Sequence, residues 1–171
     1  MSMTMSQVSV PLFVRGLKVL STLLAKGEEF AAQQGMVPEA LLAARLADDM
    51  LPLSAQVQRA SDASKLAVQR ISGVESPKFA DDETSFQQLQ ERIAKTIQWL
   101  ESVPGTELDT GEARTVALNW GSFSASFQGQ DYLLSFALPN FYFHVVTAYD
   151  ILRNQGVKIG KLDYLGPFDQ A

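Results

Sequence analysis

Over most of this sequence, apolar side chains recur every three or four residues, which is the spacing that lines one face of an α-helix. The stripe is cleanest between residues 86 and 100, where it consists of Phe86, Leu89, Ile93, Ile97 and Leu100. Glu91, Arg92 and Lys95 fall between the stripe positions, and we expect them to face water. A chain dominated by this period buries its apolar faces by packing helix against helix, so we predict a mainly α fold.

Turn and capping residues predict where the helices begin and end. The first helix is expected to start at Ser9, whose hydroxyl can cap it, and to end at Gly35. The second opens at Pro38 and stops at Gly73, with Pro52 interrupting it. Because proline removes a backbone donor and clashes with the preceding turn, this segment is either one kinked helix or two in close succession.

The third and fourth helices follow a loop and a strand-like region, respectively. Asp81 or Asp82 is expected to cap the third helix, and Pro104-Gly105 to end it. The fourth helix runs from about Leu138 to Gln155, before Gly156, and the tail after it looks irregular. Four helices of this length with short connections favour a four-helix bundle formed by a single domain over residues 1–171.

Between the last two helices the period changes from 3.6 to 2. Apolar residues alternate in three short runs: Val116, Leu118 and Trp120; Phe123, Ala125 and Phe127; Tyr132, Leu134 and Phe136. The sequence Gln-Gly-Gln-Asp at 128–131 is a turn signal between the last two runs. We therefore predict a small β-hairpin inserted before the last long helix.

Composition and charge exclude several classes of protein. The net charge is −5 and the basic residues are scattered singly, whereas nucleic-acid binding requires a clustered basic face. No apolar stretch approaches the roughly 20 residues of a membrane span, and no basic segment precedes an apolar one at the start, so we expect neither membrane insertion nor a secretory signal. The cysteine count of zero excludes disulfides and thiolate metal sites, and it fits a cytoplasmic protein.

Residues 138–166, from Leu-Pro-Asn-Phe-Tyr-Phe-His to Leu-Asp-Tyr-Leu-Gly, closely resemble the C-terminal signature of a bacterial domain-of-unknown-function family. That family is placed among the DinB/YfiT-like four-helix bundles. Further matches are residues 46–53 (Leu-Ala-Asp-Asp-Met-Leu-Pro-Leu) with Gln56, and the approach to the third helix at Pro77 and Asp82-Glu83. The resemblance covers nearly the whole chain and implies the DinB-like bundle.

The resemblance also implies where a site would lie. Many DinB-like proteins bind a metal through one histidine on the second helix and a His-x-x-x-His pair on the fourth, and some are thiol-dependent transferases. Carried onto this sequence, the three positions are Gln56, Asn140 and His144, so that one of the three is a histidine. Amides are poor ligands for zinc or nickel, and we expect no metal and no cofactor.

The residues themselves predict a polar cluster between the second and fourth helices. Asn140 and His144 are one helical turn apart, and Asp49 and Gln56 share a face of the second helix if Pro52 does not rotate it. A carboxylate beside His144, the one histidine of the chain, would orient the imidazole and raise its pKa. Alternatively, Asp49 caps the segment after Pro52, and the imidazole is a buried structural group.

Two functions are consistent with this cluster. The first is a small-molecule-binding or enzymatic bundle that has lost the metal-binding histidines and keeps a polar pocket lined by Asp49, Gln56, Asn140 and His144. The second is a non-catalytic structural or interaction protein in which the same groups only fix helix packing. Because 46% of the residues are hydrophobic and DinB-like bundles often pair through helix faces, we also expect a homodimer.

Overall fold

The computed structural model of the chain describes residues 3–166. Four long helices form a ring: α1 (Val10–Gln33) packs on α4 (Phe86–Ser102) and on α7 (Leu138–Asn154), and α3 (Leu53–Ser72) packs on the other side of both. The shorter elements are α2 (Pro38–Leu42), α5 (Gly105–Asp109), β1 (Thr115–Trp120), β2 (Phe123–Gln128), α6 (Gly129–Tyr132), a π-helical segment (Leu133–Ala137) and α8 (Lys161–Leu165). The predicted mainly α bundle with a small hairpin before its last long helix is confirmed.

The apolar stripes predicted from the sequence form the core of the bundle. Each of the four long helices contributes fully buried side chains, among them Phe13, Leu17, Leu20, Leu24, Val57, Val68, Ile71, Phe86, Leu89, Leu100, Phe141, Val145 and Ile151. The ring of Phe141 lies edge-on to Phe13, with 5.1 Å between the centroids. Gly16 makes room for the same ring, because a Cβ at this position would lie 2.4 Å from Phe141. This close approach fixes the rotation of α7, and with it the face that α7 presents to α3.

Helix α1 ends as predicted, but its start differs. Gly35 has a φ of +63°, and the bonds from Met36 N–H to the Ala31 carbonyl and from Gly35 N–H to the Ala32 carbonyl form a Schellman motif. The hydroxyl of Ser9 donates to the carbonyl of Met5 at 2.7 Å. The prediction that this hydroxyl caps α1 is therefore wrong, since it is bonded on the N-terminal side.

The segment around Pro52 forms two helices rather than one kinked helix. Helix α2 ends at Leu42, residues 43–52 form a non-helical connection, and α3 begins at Leu53 with Pro52 in the N-cap position. Helix α3 then ends at Gly73, whose φ of +82° is left-handed, as the sequence predicted.

Helix α4 is capped by a residue that the sequence analysis did not select. Ser85 accepts a hydrogen bond from Gln88 N–H, and the Gln88 side chain accepts one from Ser85 N–H, which is a capping box. The predicted caps, Asp81 and Asp82, lie outside the helix in the preceding loop. Asp81 is instead paired with two arginines and has a left-handed backbone, with a φ of +58°.

The hairpin is present, but its turn is not where the sequence placed it. Strands β1 and β2 pair antiparallel, with Trp120 opposite Phe123 and the chain reversing at Gly121, whose φ is +54°. The predicted turn at residues 128–131 and the third alternating run are wrong, since this part of the chain is helical. The buried residues of this segment are Tyr132, Leu133 and Ala137. Leu133 and Ala137 are four residues apart, which is the spacing of one helix face turned toward the core.

Helix α7 spans the predicted range, with Gln155 at its C-cap and Gly156 at a φ of +97°. The tail contains the short helix α8 where an irregular segment was expected, and residues 167–171 of that tail lie outside the described residues. Within residues 3–166, no helix is long and apolar enough to cross a membrane.

Candidate functional site

The centre of the candidate site is a hydrogen bond between the two helices that the sequence analysis brought together. Nδ1 of His144, on α7, lies 2.8 Å from Oε1 of Gln56, in the first turns of α3. Gln56 is 2% exposed, and its Nε2 donates to the Leu51 carbonyl at 3.0 Å. Both ends of this buried amide are therefore bonded, one to the chain entering α3 and the other to α7.

Asn140 lies one turn before His144 on α7, and both side chains are half-buried. In the part of the chain that the structure describes, every buried side-chain nitrogen or oxygen has a hydrogen-bond partner. Nε2 of His144 and the amide of Asn140 have no such partner among those residues, so they are accessible atoms of half-buried side chains. The site therefore offers an imidazole nitrogen and an amide with unused hydrogen-bonding capacity.

An exposed aromatic ring lies beside the imidazole of His144. Phe143 is 57% exposed, and its ring lies edge-on to the His144 imidazole, with 5.3 Å between the centroids. A molecule at Nε2 would thus meet an imidazole nitrogen beside an exposed aromatic ring.

The surroundings keep the imidazole of His144 neutral. Burial disfavours the charged ring, and the positive charge of Arg59 adds to this, so that the pKa of His144 falls from 6.5 to about 4. Arg59 is held by Asp62 at 3.1 Å and by Asp81. A neighbouring carboxylate was expected to raise the pKa of His144, and the structure shows the opposite direction, because burial lowers this pKa and the charge of Arg59 is positive.

The structure joins Gln56 to His144 by a hydrogen bond, whereas Asn140 has no hydrogen bond to either of them and Asp49 lies apart. It lies in the connection between α2 and α3, where it is exposed, and no hydrogen bond of the described residues involves its carboxylate. The expectation that Asp49 and Gln56 share a helix face is wrong, because residues 43–52 are not helical. The alternative, that Asp49 caps α3, is also wrong, since Pro52 occupies the N-cap position.

A second polar cluster was missed by the sequence analysis, which placed Arg92 in water. Arg92 is 2% exposed and donates to Asp62 at 2.8 Å, to Asp81 at 2.6 Å and to Glu83 at 2.9 Å. Its guanidinium also lies over the ring of Phe79, 4.7 Å from the centroid. The available signal was positional, because Arg92 precedes Ile93 and follows Leu89 by three residues, at the edge of the apolar stripe.

This cluster holds the loop before α4 against α3 and α4. Burial is the largest effect on Asp81 and Glu83 and opposes their ionisation. The hydrogen bonds and charge of Arg92, together with the other donors around each carboxyl, outweigh it, so the pKa of each carboxyl lies below its ordinary value. Burial likewise opposes the charge of Arg92, and the bonds to Glu83 and Asp81 raise its pKa all the same. Every charge in the cluster has an opposite partner, so its role is to hold the loop in place.

The residues at the His144 site do not fit the metal that a DinB-like bundle implies. The two other ligand positions hold the amides of Gln56 and Asn140, and the Gln56 amide is already bonded at both ends. Among residues 3–166, no three His, Cys, Asp or Glu side chains lie close enough to hold a metal ion together. Zinc, nickel and iron prefer imidazole, thiolate or carboxylate, and this donor set supplies one imidazole.

The fold defines the class of protein. The chain is similar to a crystal structure of a DinB family member protein from Shewanella denitrificans, at 34% sequence identity and a TM-score of 0.90, over 97% of this chain and 94% of that one. The chain is thus a DinB-like four-helix bundle. More particularly, residues 5–165 match the family model described as "Domain of unknown function (DUF1993)", and the chain belongs to this family. No curated protein matches the chain.

Proposed function

We propose that this protein is a small-molecule-binding bundle, or an enzyme built on one, whose site lies between α3 and α7 at Gln56, Asn140 and His144. The observation that carries the proposal is the asymmetry of His144: Nδ1 is bonded to a buried amide, while Nε2 is accessible and has no partner among the described residues. Holding one ring nitrogen so that the other meets a ligand is how proteins orient a functional imidazole. The site works without a bound metal in this proposal.

The alternative is a structural role, and one observation favours it. Through Gln56, the bond to the Leu51 carbonyl and the bond to His144 tie the connection before α3 to α7. A buried amide with both ends satisfied helps to fix how two helices pack. In this reading, the accessible Nε2 has no ligand.

Two substitutions at His144 separate these functions. His144→Asn keeps a side-chain N–H near the position of Nδ1, where it can still donate to Gln56, but it removes Nε2. His144→Gln places its amide near Nε2 and leaves the buried Oε1 of Gln56 without a donor, at a cost of about 1–3 kcal/mol. His144→Ala is less informative, because it removes both nitrogens at once.

The measurement is a library of small polar fragments screened by saturation-transfer NMR on the wild-type protein and the variants. The proposal predicts fragments that bind the wild-type protein and are lost in His144→Asn, while the melting temperature changes little. Asn154→Ala, at the exposed far end of α7, is the control and should retain binding. If His144→Asn binds every fragment as the wild-type protein does, the structural role is correct.

We also propose that the protein is a cytoplasmic homodimer. Phe143 and Val146 are exposed and three residues apart on α7, so they form an apolar strip on its outer face. A chain without cysteine suits a reducing compartment. Light scattering should give twice the chain mass of 18.8 kDa, and a mass of 18.8 kDa would contradict the dimer. Cell fractionation tests the location.

A further inference from the structure

The hydrogen bonds of Gln56 determine which nitrogen of His144 carries the proton. The Leu51 carbonyl can only accept, so the NH₂ group of Gln56 must face it, at 3.0 Å. The carbonyl oxygen Oε1 then faces Nδ1 of His144 at 2.8 Å, and because Oε1 can also only accept, Nδ1 must donate. In a neutral ring, Nε2 is left with its lone pair and no hydrogen.

The position of the lone pair determines what can bind there. Nε2 is an accessible atom, and the amide of Asn140, one turn away on the same helix, can both donate and accept. An unprotonated Nε2 accepts a hydrogen bond and cannot give one. A ligand that reaches it must therefore bring its own O–H or N–H group, and a second polar group about 5–6 Å away would reach Asn140.

The charge near the ring affects both the protonation of the imidazole and the kind of ligand that can bind beside it. Arg59 is the cation whose field reaches His144, and its guanidinium is fixed by Asp62 and Asp81. This positive charge opposes both a proton on the ring and a cationic ligand beside it. The neutral state of the imidazole near pH 7, with a pKa of about 4, agrees with the hydrogen-bond geometry.

We propose that Gln56 is a positioning residue: its buried amide holds His144 as the Nδ1–H tautomer, so that Nε2 meets a ligand as a hydrogen-bond acceptor and the site selects neutral molecules with an O–H or N–H group over cations. The tautomer follows from the contacts within the protein alone. The ligand class rests on the proposed function, and the two parts are tested separately.

The tautomer is tested by ¹⁵N NMR of the imidazole. His144 is the only histidine in the sequence, so ¹⁵N-histidine labelling gives one pair of ring signals that needs no assignment by mutation. At pH 7 the expected spectrum has a protonated, pyrrole-like Nδ1 and an unprotonated, pyridine-like Nε2. A pyrrole-like Nε2, or two equivalent nitrogens of a charged ring, would overturn the role of Gln56.

Variants of Gln56 show whether its amide causes the tautomer. Gln56→Leu removes the acceptor, and the Nε2–H form should become the major tautomer. Gln56→Glu keeps an acceptor facing Nδ1, so the Nδ1–H form should persist while the new negative charge raises the pKa of His144. Gln58→Leu is the matched control: Gln58 is a buried glutamine on the same helix that donates to Glu83, and its loss should leave the ring signals unchanged. Retention of the Nδ1–H form in Gln56→Leu would contradict the proposal even if the wild-type spectrum agrees.

The ligand class is tested on the same sample with matched probes. Benzyl alcohol carries an O–H donor, benzyl methyl ether has the same ring without a donor, and benzylammonium is the cation. At equal millimolar concentrations, benzyl alcohol should shift the Nε2 signal, and the other two should leave it in place. An equal response to all three would overturn the selection by an O–H or N–H group. If the tautomer is as expected and benzyl alcohol leaves Nε2 unchanged, the ligand class and the proposed binding function fail, while the role of Gln56 stands.

Discussion

Replacing Arg92 with methionine should destabilise the protein strongly, since this side chain is the centre of the buried ionic cluster. Its guanidinium pairs with three carboxylates, and the side chain is buried. Removing one partner of a buried ion pair generally costs about 3–5 kcal/mol, because the other charge is left uncompensated. Asp62 keeps Lys65 at 2.9 Å, and Asp81 keeps Arg59, so the loss should lie near the lower end, at about 3 kcal/mol. Methionine retains an unbranched stem, which limits the loss of packing.

Urea unfolding followed by far-UV circular dichroism measures this loss as a free energy of unfolding, and thermal unfolding followed by the same signal gives the melting temperature. At about 2–4 °C per kcal/mol for a chain of this length, the melting temperature of Arg92→Met should fall by about 6–12 °C. Lys78→Met is the control: Lys78 is 90% exposed and lies 3.8 Å from Glu75, and exposed pairs of this kind are worth less than about 1 kcal/mol.

The pH dependence of the stability difference between the wild-type protein and Arg92→Met tests whether this difference is ionic in origin. The folded-state pKa values of Asp81 and Glu83 lie below their ordinary values of 3.8 and 4.5. Their ionic contribution is therefore fully present above these ordinary values and is lost as the pH falls through the lower folded-state values. The wild-type protein and Arg92→Met should converge in stability towards pH 3. A loss below about 1 kcal/mol at neutral pH, or an equal loss at pH 3 and pH 7, would refute the role assigned to Arg92.

Three further predictions concern single positions. The pKa of His144 is 6.5 in the unfolded chain and about 4 in the folded protein, so the unfolded chain binds the proton first as the pH falls. The free energy of unfolding of the wild-type protein should therefore fall by up to about 3 kcal/mol between pH 6.5 and pH 4. Urea unfolding across this range measures the fall, and His144→Asn should not show it. Gly111→Ala should cost about 1–3 kcal/mol in thermal unfolding, because its Cβ would lie 2.2 Å from the Ile71 carbonyl oxygen, whereas Gly160→Ala, with no atom within 4 Å of its Cβ, should change stability little. Ser85→Ala should cost about 1 kcal/mol through loss of the α4 capping box, and an unchanged urea midpoint would show that the box contributes nothing.

Much of the fold could be predicted because its signals are local. The helix-length periodicity fixes the four long helices, and Gly35, Gly73 and Gly156 end three of them with positive φ angles that favour glycine. The end of the hairpin was harder to predict. Tyr132, Leu134 and Phe136 alternate in the sequence, yet Tyr132 is buried and its hydroxyl accepts a bond from Arg70, a contact across 62 residues. Contacts over such distances override a three-residue pattern.

The candidate site likewise has residues that could be predicted from the sequence and residues that could not. Gln56 and His144 were paired from helix spacing and the family resemblance, and the structure places them 2.8 Å apart. Asp49 was misplaced because the effect of Pro52 on the chain before it cannot be read from periodicity. Arg92 was misplaced because its three carboxylate partners come from α3 and from the loop before α4, which the sequence could not bring together. That the His144 site binds a small molecule stays a prediction.

The most direct test of that claim is a high-resolution crystal structure from crystals soaked with the fragments that bind in solution. We expect a fragment to lie at the site with an O–H or N–H group within about 2.7–3.2 Å of Nε2 of His144, while Nδ1 remains bonded to Gln56. Fragments bound elsewhere with Nε2 left in solvent would contradict it, and so would a metal ion bound to Nε2.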